Sequence, residues 1–146
     1  MSVDISTQIE IERPRDDVAA YAADPLNAPG WYDNIDAVEW KSDAVVAVGS
    51  KAAFVARFLG RRLEYTYELV DVVPGERLVM RTAQGPFPME TTYTWEDDGR
   101  GGTRMTLRNR GEPSGFSGLA APLLAAAMRR ANRKDLEQLK RILERA

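Results

Sequence analysis

The stretch LEYTYELVDVVPGERLVMRT, residues 63–82, contains two segments of alternating residues on either side of a Pro74–Gly75 turn. Alternate side chains of a β-strand share a face, so the first segment has one apolar and aromatic face: Leu63, Tyr65, Tyr67 and Leu69. The second segment continues the pattern with Leu78, Met80 and Thr82. The pattern predicts two antiparallel strands that share a buried face. Two tyrosine hydroxyls on such a face need partners, because a buried hydroxyl without one costs on the order of 1–3 kcal/mol.

Five other segments alternate in the same way, which predicts a sheet of seven strands. They span residues 3–11, 38–41, 54–58, 89–95 and 105–109. The last two flank the loop DDGRGG and are predicted to pair as a hairpin, with Glu96 opposite Arg104 and Glu90 opposite Arg110. Opposite charges across a strand pair stabilise it by ~0.2–1 kcal/mol. We therefore assign these four residues to the solvent face and not to catalysis.

The first helical segment is short and interrupted. Pro14 suits the first helical position, and two aspartates follow it in the first turn, where they complement the helix dipole. The helix is expected to end at the Asp24–Pro25 step, because the residue before a proline disfavours helical geometry. The stretch that follows, LNAPGWYDNI (26–35), has room for one further helical turn.

The second helical segment runs from Pro122 to Arg145 and has apolar residues at helical spacing. At 1.5 Å per residue it would be ~36 Å long, whereas a strand of seven or eight residues spans only ~25 Å. One helix can therefore cross the whole sheet. Asn132 and Asp135 fall within its apolar stripe. They either hydrogen-bond to a strand end or to the preceding loop, as buried polar groups usually do, or they contact a ligand.

These elements predict an α+β fold of two layers, with residues 1–146 forming a single domain. The net charge is −2 and the arginines are dispersed, which argues against a nucleic-acid partner. No apolar run reaches the roughly 18 residues of a membrane span, and the N-terminus alternates instead of forming a signal-peptide core, so we expect a cytoplasmic protein. The absence of cysteine and histidine excludes thiolate and imidazole catalysis and typical zinc sites. We expect no metal and no cofactor.

Three stretches of the chain resemble the SRPBCC superfamily, which includes START-like and Bet v 1-like proteins and the polyketide cyclase/dehydrase family. They are VAAYAADPLNAPGWYDNI (18–35), the turn and strand within residues 63–82, and RRANRKDLEQLKRILE (129–144). The resemblance covers essentially the whole chain. It implies a helix-grip fold, in which a strongly curved seven-stranded antiparallel sheet wraps around the long C-terminal helix, with a short broken helix after the first strand. It also implies an internal cavity between the sheet and the helix.

The inner faces of the strands, the facing side of the long helix and the loop after the broken helix would line this cavity. The expected ligand-binding residues are Trp31, Tyr32, Phe54, Phe58, Tyr65, Tyr67, Met80, Met89, Thr91, Tyr93, Trp95, Leu107, Asn109, Leu119, Leu123 and Met128. A mostly apolar lining with a few polar tips is typical of a small-molecule pocket. Alternatively, the tyrosines bond to water or backbone at the cavity mouth, and Trp31 and Tyr32 plug the core instead of capping the mouth.

Three functions are compatible with this chain. The preferred one is a non-catalytic binder of a small hydrophobic or aromatic molecule, lipid- or polyketide-like, acting as a monomer or weak homodimer. The second is a cyclase or dehydratase acting on a polyketide-like substrate, which would have to use tyrosines and other polar pocket residues because the predicted inner faces carry no strand carboxylate. The third is a co-chaperone-like module that binds other proteins, which requires an exposed apolar patch.

Overall fold

The computed structural model describes residues 2–116 and 119–145. Its elements are β1 (Val3–Ile11), α1 (Arg15–Ala23), a 3₁₀ turn (Pro25–Asn27), α2 (Ala28–Trp31), β2 (Ile35–Trp40), β3 (Lys51–Phe58), β4 (Arg61–Val73), β5 (Arg77–Gln84), β6 (Met89–Asp97), β7 (Thr103–Gly111) and α3 (Ala121–Arg145). The broken helix therefore contains a 3₁₀ turn as well as the one α-helical turn that the sequence predicts.

The seven strands form one antiparallel sheet in the order β1-β7-β6-β5-β4-β3-β2. The sheet is curled into a half-barrel, and the predicted helix-grip fold is confirmed. The predicted register of the last hairpin is also confirmed, with Glu90 opposite Arg110 and Glu96 opposite Arg104. Glu90 bonds Arg81 at 2.8 Å as well as Arg110 at 2.7 Å, so one carboxylate links three neighbouring strands on the outer face.

The curvature of the sheet coincides with irregularities in strand pairing. The pairing of β4 with β5 shifts register between Thr66 and Tyr67 and again between Leu69 and Asp71, and the pairing of β2 with β3 shifts near Ile35. An unpaired extra residue bends a strand and increases its twist. The 13-residue strand β4 can therefore curve across the sheet while its tyrosines keep facing inward.

The helix α3 closes the concave face of the sheet, and its second half packs tightly. Leu136, Leu139 and Leu143 are at most 5% exposed and belong to the core cluster. This half lies against β1. Two polar contacts hold it there: Lys140 Nζ donates to the Glu10 carbonyl at 2.7 Å, and the Glu144 carboxylate accepts the backbone N–H of Glu12 at 2.8 Å.

We expect Leu139→Ala to lower the free energy of unfolding by about 2–5 kcal/mol, because it removes a fully buried side chain and leaves a cavity. The matched control is Leu123→Ala on the same helix. Leu123 is 63% exposed, so its truncation should change stability by no more than about 0.5 kcal/mol. Denaturant unfolding measures both values. Similar losses for the two variants would contradict the assignment of the helix face that packs on the sheet.

Candidate functional site

A cavity of about 130 Å³ lies between the inner face of the sheet and the first half of α3. Eleven of the sequence-predicted residues line it: Tyr32, Phe54, Phe58, Tyr65, Tyr67, Met80, Met89, Thr91, Tyr93, Asn109 and Met128. The strands β2 to β7 and the first half of α3 contribute side chains, whereas β1 contributes none. The tightly packed and the hollow parts of the molecule thus lie under different halves of one helix.

The other five predicted residues lie outside the cavity lining. Trp95 and Leu107 face inward but belong to the packed core, at 3% and 0% exposure. Leu119 is half-buried in the segment before α3. Leu123 points to solvent, because one residue along a helix rotates a side chain by about 100° and its neighbour Leu124 takes the inward position.

Trp31, the fifth of these residues, plugs the core behind the cavity. It is 1% exposed, and its ring packs on Tyr32 at 4.2 Å and on Tyr93 at 5.7 Å between centroids. Tyr32 lines the cavity with its hydroxyl bonded to that of Tyr93. Of these two adjacent aromatic residues, Trp31 is therefore part of the packed core and Tyr32 is part of the cavity lining.

Twelve further residues line the cavity that are not among the expected ligand-binding residues, although Asn132 was named as a possible ligand contact: Asn34, Ile35, Ala56, Leu63, Thr82, Pro86, Phe87, Pro113, Phe116, Leu124, Ala131 and Asn132. Ala56, Leu63 and Thr82 share inner faces with predicted residues, so the strand alternation contained the signal. The four proline and phenylalanine residues come from the β5–β6 and β7–α3 loops, which have no periodicity to indicate their direction.

A chain of hydrogen bonds explains the inward tyrosine of the central strand. The Tyr67 hydroxyl lies 2.9 Å from Thr91 Oγ1, which donates to Asn109 Oδ1 at 2.6 Å. A threonine hydroxyl has one proton, so Tyr67 is the donor to Thr91. Tyr67 is thus satisfied by protein, whereas Tyr65 has no hydrogen bond to any described residue and reaches the cavity.

A second pair of hydroxyls, Tyr32 and Tyr93, meets at 2.6 Å in the cavity wall. Burial raises the pKa of Tyr32, Tyr65 and Tyr93 well above the usual value for a phenol, and burial raises the pKa of Tyr67 to about 12. All four hydroxyls are therefore neutral near pH 7. They can donate hydrogen bonds but are not available as bases.

The two polar residues in the apolar stripe of α3 differ in their partners. Asp135 is 2% exposed and accepts the backbone N–H of Asp33 at 3.0 Å, which ties the helix to the loop after α2. Burial raises the pKa of Asp135 to about 6 despite this bond. Asn132 is 6% exposed and lines the cavity, and its side-chain nitrogen has no hydrogen-bond partner among the described residues.

Three phenylalanines and an arginine, which we call the rim cluster, lie where the two loops meet the sheet: Phe58, Phe87, Phe116 and Arg61. The Phe116 ring lies 5.8 Å from Phe58 and 6.0 Å from Phe87. The Arg61 guanidinium lies 5.4 Å from the Phe116 ring centre and donates to the Ser114 carbonyl. Gly115 has a φ of +84°, a backbone conformation that favours glycine, and the Arg61 guanidinium lies where its Cβ would be.

Among the described residues, none that lines the cavity is charged. In the part of the chain that the structure describes, no group of three or more acidic side chains is placed to hold a metal ion. None of the described helices has the length and hydrophobicity needed to span a bilayer.

The sequence matches the family model described as polyketide cyclase / dehydrase and lipid transport over residues 2–144. This match confirms the resemblance to the SRPBCC superfamily that the sequence motifs indicate. A comparison with the curated proteins finds no match.

Solved structures share the fold over nearly the full length. The chain is 19% identical to TTHA0849 of Thermus thermophilus, with 97% of each chain covered and a TM-score of 0.82. It is 12% identical to a START superfamily protein of Mycobacterium smegmatis, with 97% of each covered and a TM-score of 0.84. It is 18% identical to the Zhui aromatase/cyclase of Streptomyces sp. R1128, with 99% of this chain and 95% of that one covered and a TM-score of 0.79. Identities this low establish the fold alone.

The two inward tyrosines of β4 make a matched pair for measuring the hydrogen-bond chain. We expect Tyr67→Phe to cost about 1–2 kcal/mol of unfolding free energy, because it removes a buried donor to Thr91. Tyr65→Phe should cost less than about 0.5 kcal/mol, because no protein group loses a partner. Equal costs in denaturant unfolding would contradict the bonding scheme.

Asp135 should make stability depend on pH. Its pKa rises from 3.8 to about 6 on folding, so the folded state binds a proton more tightly. The stabilisation is complete below about pH 4 and is lost as pH rises through about 6. Relative to Asp135→Asn, which does not titrate, the native chain should lose on the order of 1–3 kcal/mol between about pH 4 and 7.

The control for this pH dependence is Glu137→Gln, at an exposed position on the same helix. Its stability curve should run parallel to that of the native chain over the same pH range. If Asp135→Asn also ran parallel to the native chain, Asp135 would not be the titrating group.

Proposed function

Because the chain belongs to the polyketide cyclase / dehydrase and lipid transport family, we propose that it binds a small, neutral, largely aromatic molecule in the cavity between the sheet and α3. The observation that carries the proposal is the lining of this cavity. It is mostly apolar and aromatic, contains no charged residue, and places a few hydroxyl and amide groups among the rings. Such a combination suits a small-molecule pocket.

The size of the cavity limits the ligand. A volume of about 130 Å³ is close to the roughly 150 Å³ of a dry cavity that binds benzene, so it can enclose about one ring. A ligand of roughly 10–15 heavy atoms, such as two or three fused rings, would place one ring in this space and extend toward the rim of the cavity. Long acyl chains and sterols exceed it, which narrows the lipid-like part of the expectation.

The walls of the cavity favour a flat ligand. Phe54 and Tyr65 lie parallel, with an interplanar angle of 4° and 5.3 Å between ring centres, and Tyr67 meets both rings edge-on. Aromatic rings prefer offset-stacked and edge-to-face contacts. A planar ligand can therefore extend an arrangement that the protein already makes.

The alternative function is a cyclase or dehydratase, and the bonded hydroxyls of Tyr32 and Tyr93 are the observation in its favour. Such chemistry requires a group that removes a proton as well as one that supplies it. The tyrosines are neutral at pH 7, and burial raises their pKa further. Asp135 does not line the cavity, so its carboxylate is not placed to act as the base there. We therefore prefer binding to catalysis.

A thermal-shift experiment tests the proposal. We expect at least one neutral aromatic of about 10–15 heavy atoms to raise the Tm. A ligand at a hundred times its Kd stabilises the folded state by ~2.7 kcal/mol, which corresponds to roughly 5–11 °C for a chain of this length.

The matched variants are Ala56→Phe and Ala53→Phe. Ala56 lines the cavity, so a phenyl ring there should occupy the ligand space and abolish the shift. Ala53 is on the other face of the same strand, so its replacement should leave the shift in place. Binding that survives Ala56→Phe unchanged would place the ligand outside the cavity.

A further inference from the structure

The hydrogen-bond chain leaves the side-chain N–H groups of Asn109 unused. Asn109 Oδ1 accepts from Thr91, whose only proton is committed to that bond. The Asn109 nitrogen carries two donors, and no described residue accepts from them. The cavity therefore has donors at one end of this chain without protein acceptors.

The hydroxyl pair of Tyr32 and Tyr93 also has one proton without an acceptor. Tyr32 and Tyr93 share one hydrogen bond, which uses one of their two protons. The other proton, like that of Tyr65, has no acceptor among the described residues. Thr82, by contrast, donates to the Met89 carbonyl and is satisfied.

The strongest case is Asn132. Its side chain is more than nine-tenths buried, lines the cavity, and has a nitrogen with no hydrogen-bond partner in the described part of the chain. A buried unpaired donor destabilises a fold, and a hydrophobic residue at the same place would not carry this cost. Asp135, less than one turn further along, shows that this helix can pair a buried polar group when the loop supplies a partner.

The unused groups of Asn109, Asn132 and the tyrosines include several donors, and the described lining has no charge. A ligand atom that pairs with these donors must be a hydrogen-bond acceptor, such as a ketone or quinone oxygen. A carboxylate would also accept, but it would enter a site without a counter-ion, and burying an unpaired charge is far more costly than burying a neutral polar group.

We propose that Asn132 selects the ligand by donating a hydrogen bond to a carbonyl oxygen on a neutral, flat molecule. This inference rests on the proposed function, since it requires binding in the cavity, and it adds which chemical group is recognised and by which residue. Asn132 acts on selectivity, because the aromatic walls supply the contacts that any flat ligand of the right size makes.

Fluorene and 9-fluorenone test the inference, because they share one ring skeleton and differ by one carbonyl oxygen. Calorimetry or thermal shift gives the Kd of each, with fluorene-1-carboxylate as a charged member of the series. We expect the native chain to bind 9-fluorenone about three- to tenfold more tightly than fluorene, and the carboxylate more weakly than either.

Asn132→Leu removes the amide while keeping a similar shape. We expect the ratio of the fluorene Kd to the 9-fluorenone Kd to fall by about tenfold, so that fluorene binds at least as tightly as 9-fluorenone. The matched control is Met128→Leu, one turn away on the same cavity-lining face, which should change both Kd values by the same factor. An unchanged ratio in Asn132→Leu, or equal binding of both compounds to the native chain, overturns the inference and leaves the proposed function intact.

The ligand-free stability of Asn132→Leu is an independent readout. Replacing an unpaired buried amide by an apolar side chain should raise the Tm without ligand, whereas loss of a structural hydrogen bond would lower it. A lower Tm therefore overturns the inference. If none of the three compounds, nor any other neutral aromatic of this size, binds the native chain, the proposed function fails and the inference fails with it.

Discussion

The organisation of the molecule follows from the fit of one long helix to a curled sheet. The 25 residues of α3 extend about 38 Å, and the sheet beneath curves away from that line. Close packing is achieved along the second half of the helix, where leucines meet β1 and the core. Under the first half the same mismatch leaves a space. The residues that pack α3 onto the sheet and those that line the proposed binding site thus lie in different halves of the helix. A substitution in one half need not disturb the other.

The inner face of the sheet shows how the chain tolerates polar groups in a buried position. The hydroxyl of Tyr67 is paired through Thr91 to Asn109, and those of Tyr32 and Tyr93 are paired with each other. These pairings rigidify the wall. The polar groups left over are the ones available to a ligand, and they lower stability in its absence, as residues kept for function commonly do.

Strand alternation predicted the faces of β3 to β7 and the register of the last hairpin, because a side-chain period of two leaves no freedom once one face is buried. It could not show where along those faces the cavity ends. Trp95 and Leu107 point inward as predicted, yet they lie in the packed core. Whether an inward residue lines the cavity or packs in the core depends on where α3 crosses the sheet, and a single strand's sequence does not contain that information. Loop residues such as Phe87 and Phe116 were not predictable, because a loop has no period.

The contacts of the rim cluster differ from those of the cavity walls, so the residence time of a ligand can depend on different residues from its affinity. Arg61 holds the loop before α3 through one carbonyl and one aromatic ring, and Gly115 lets that loop pass close over the guanidinium. None of these contacts belongs to the pairing of the sheet. Breaking these contacts would leave the strand pairing intact, so under the proposed function Arg61 and Phe116 would govern how long a ligand remains inside. Residence time and affinity would then be separately adjustable, the first through the loop and the second through the walls.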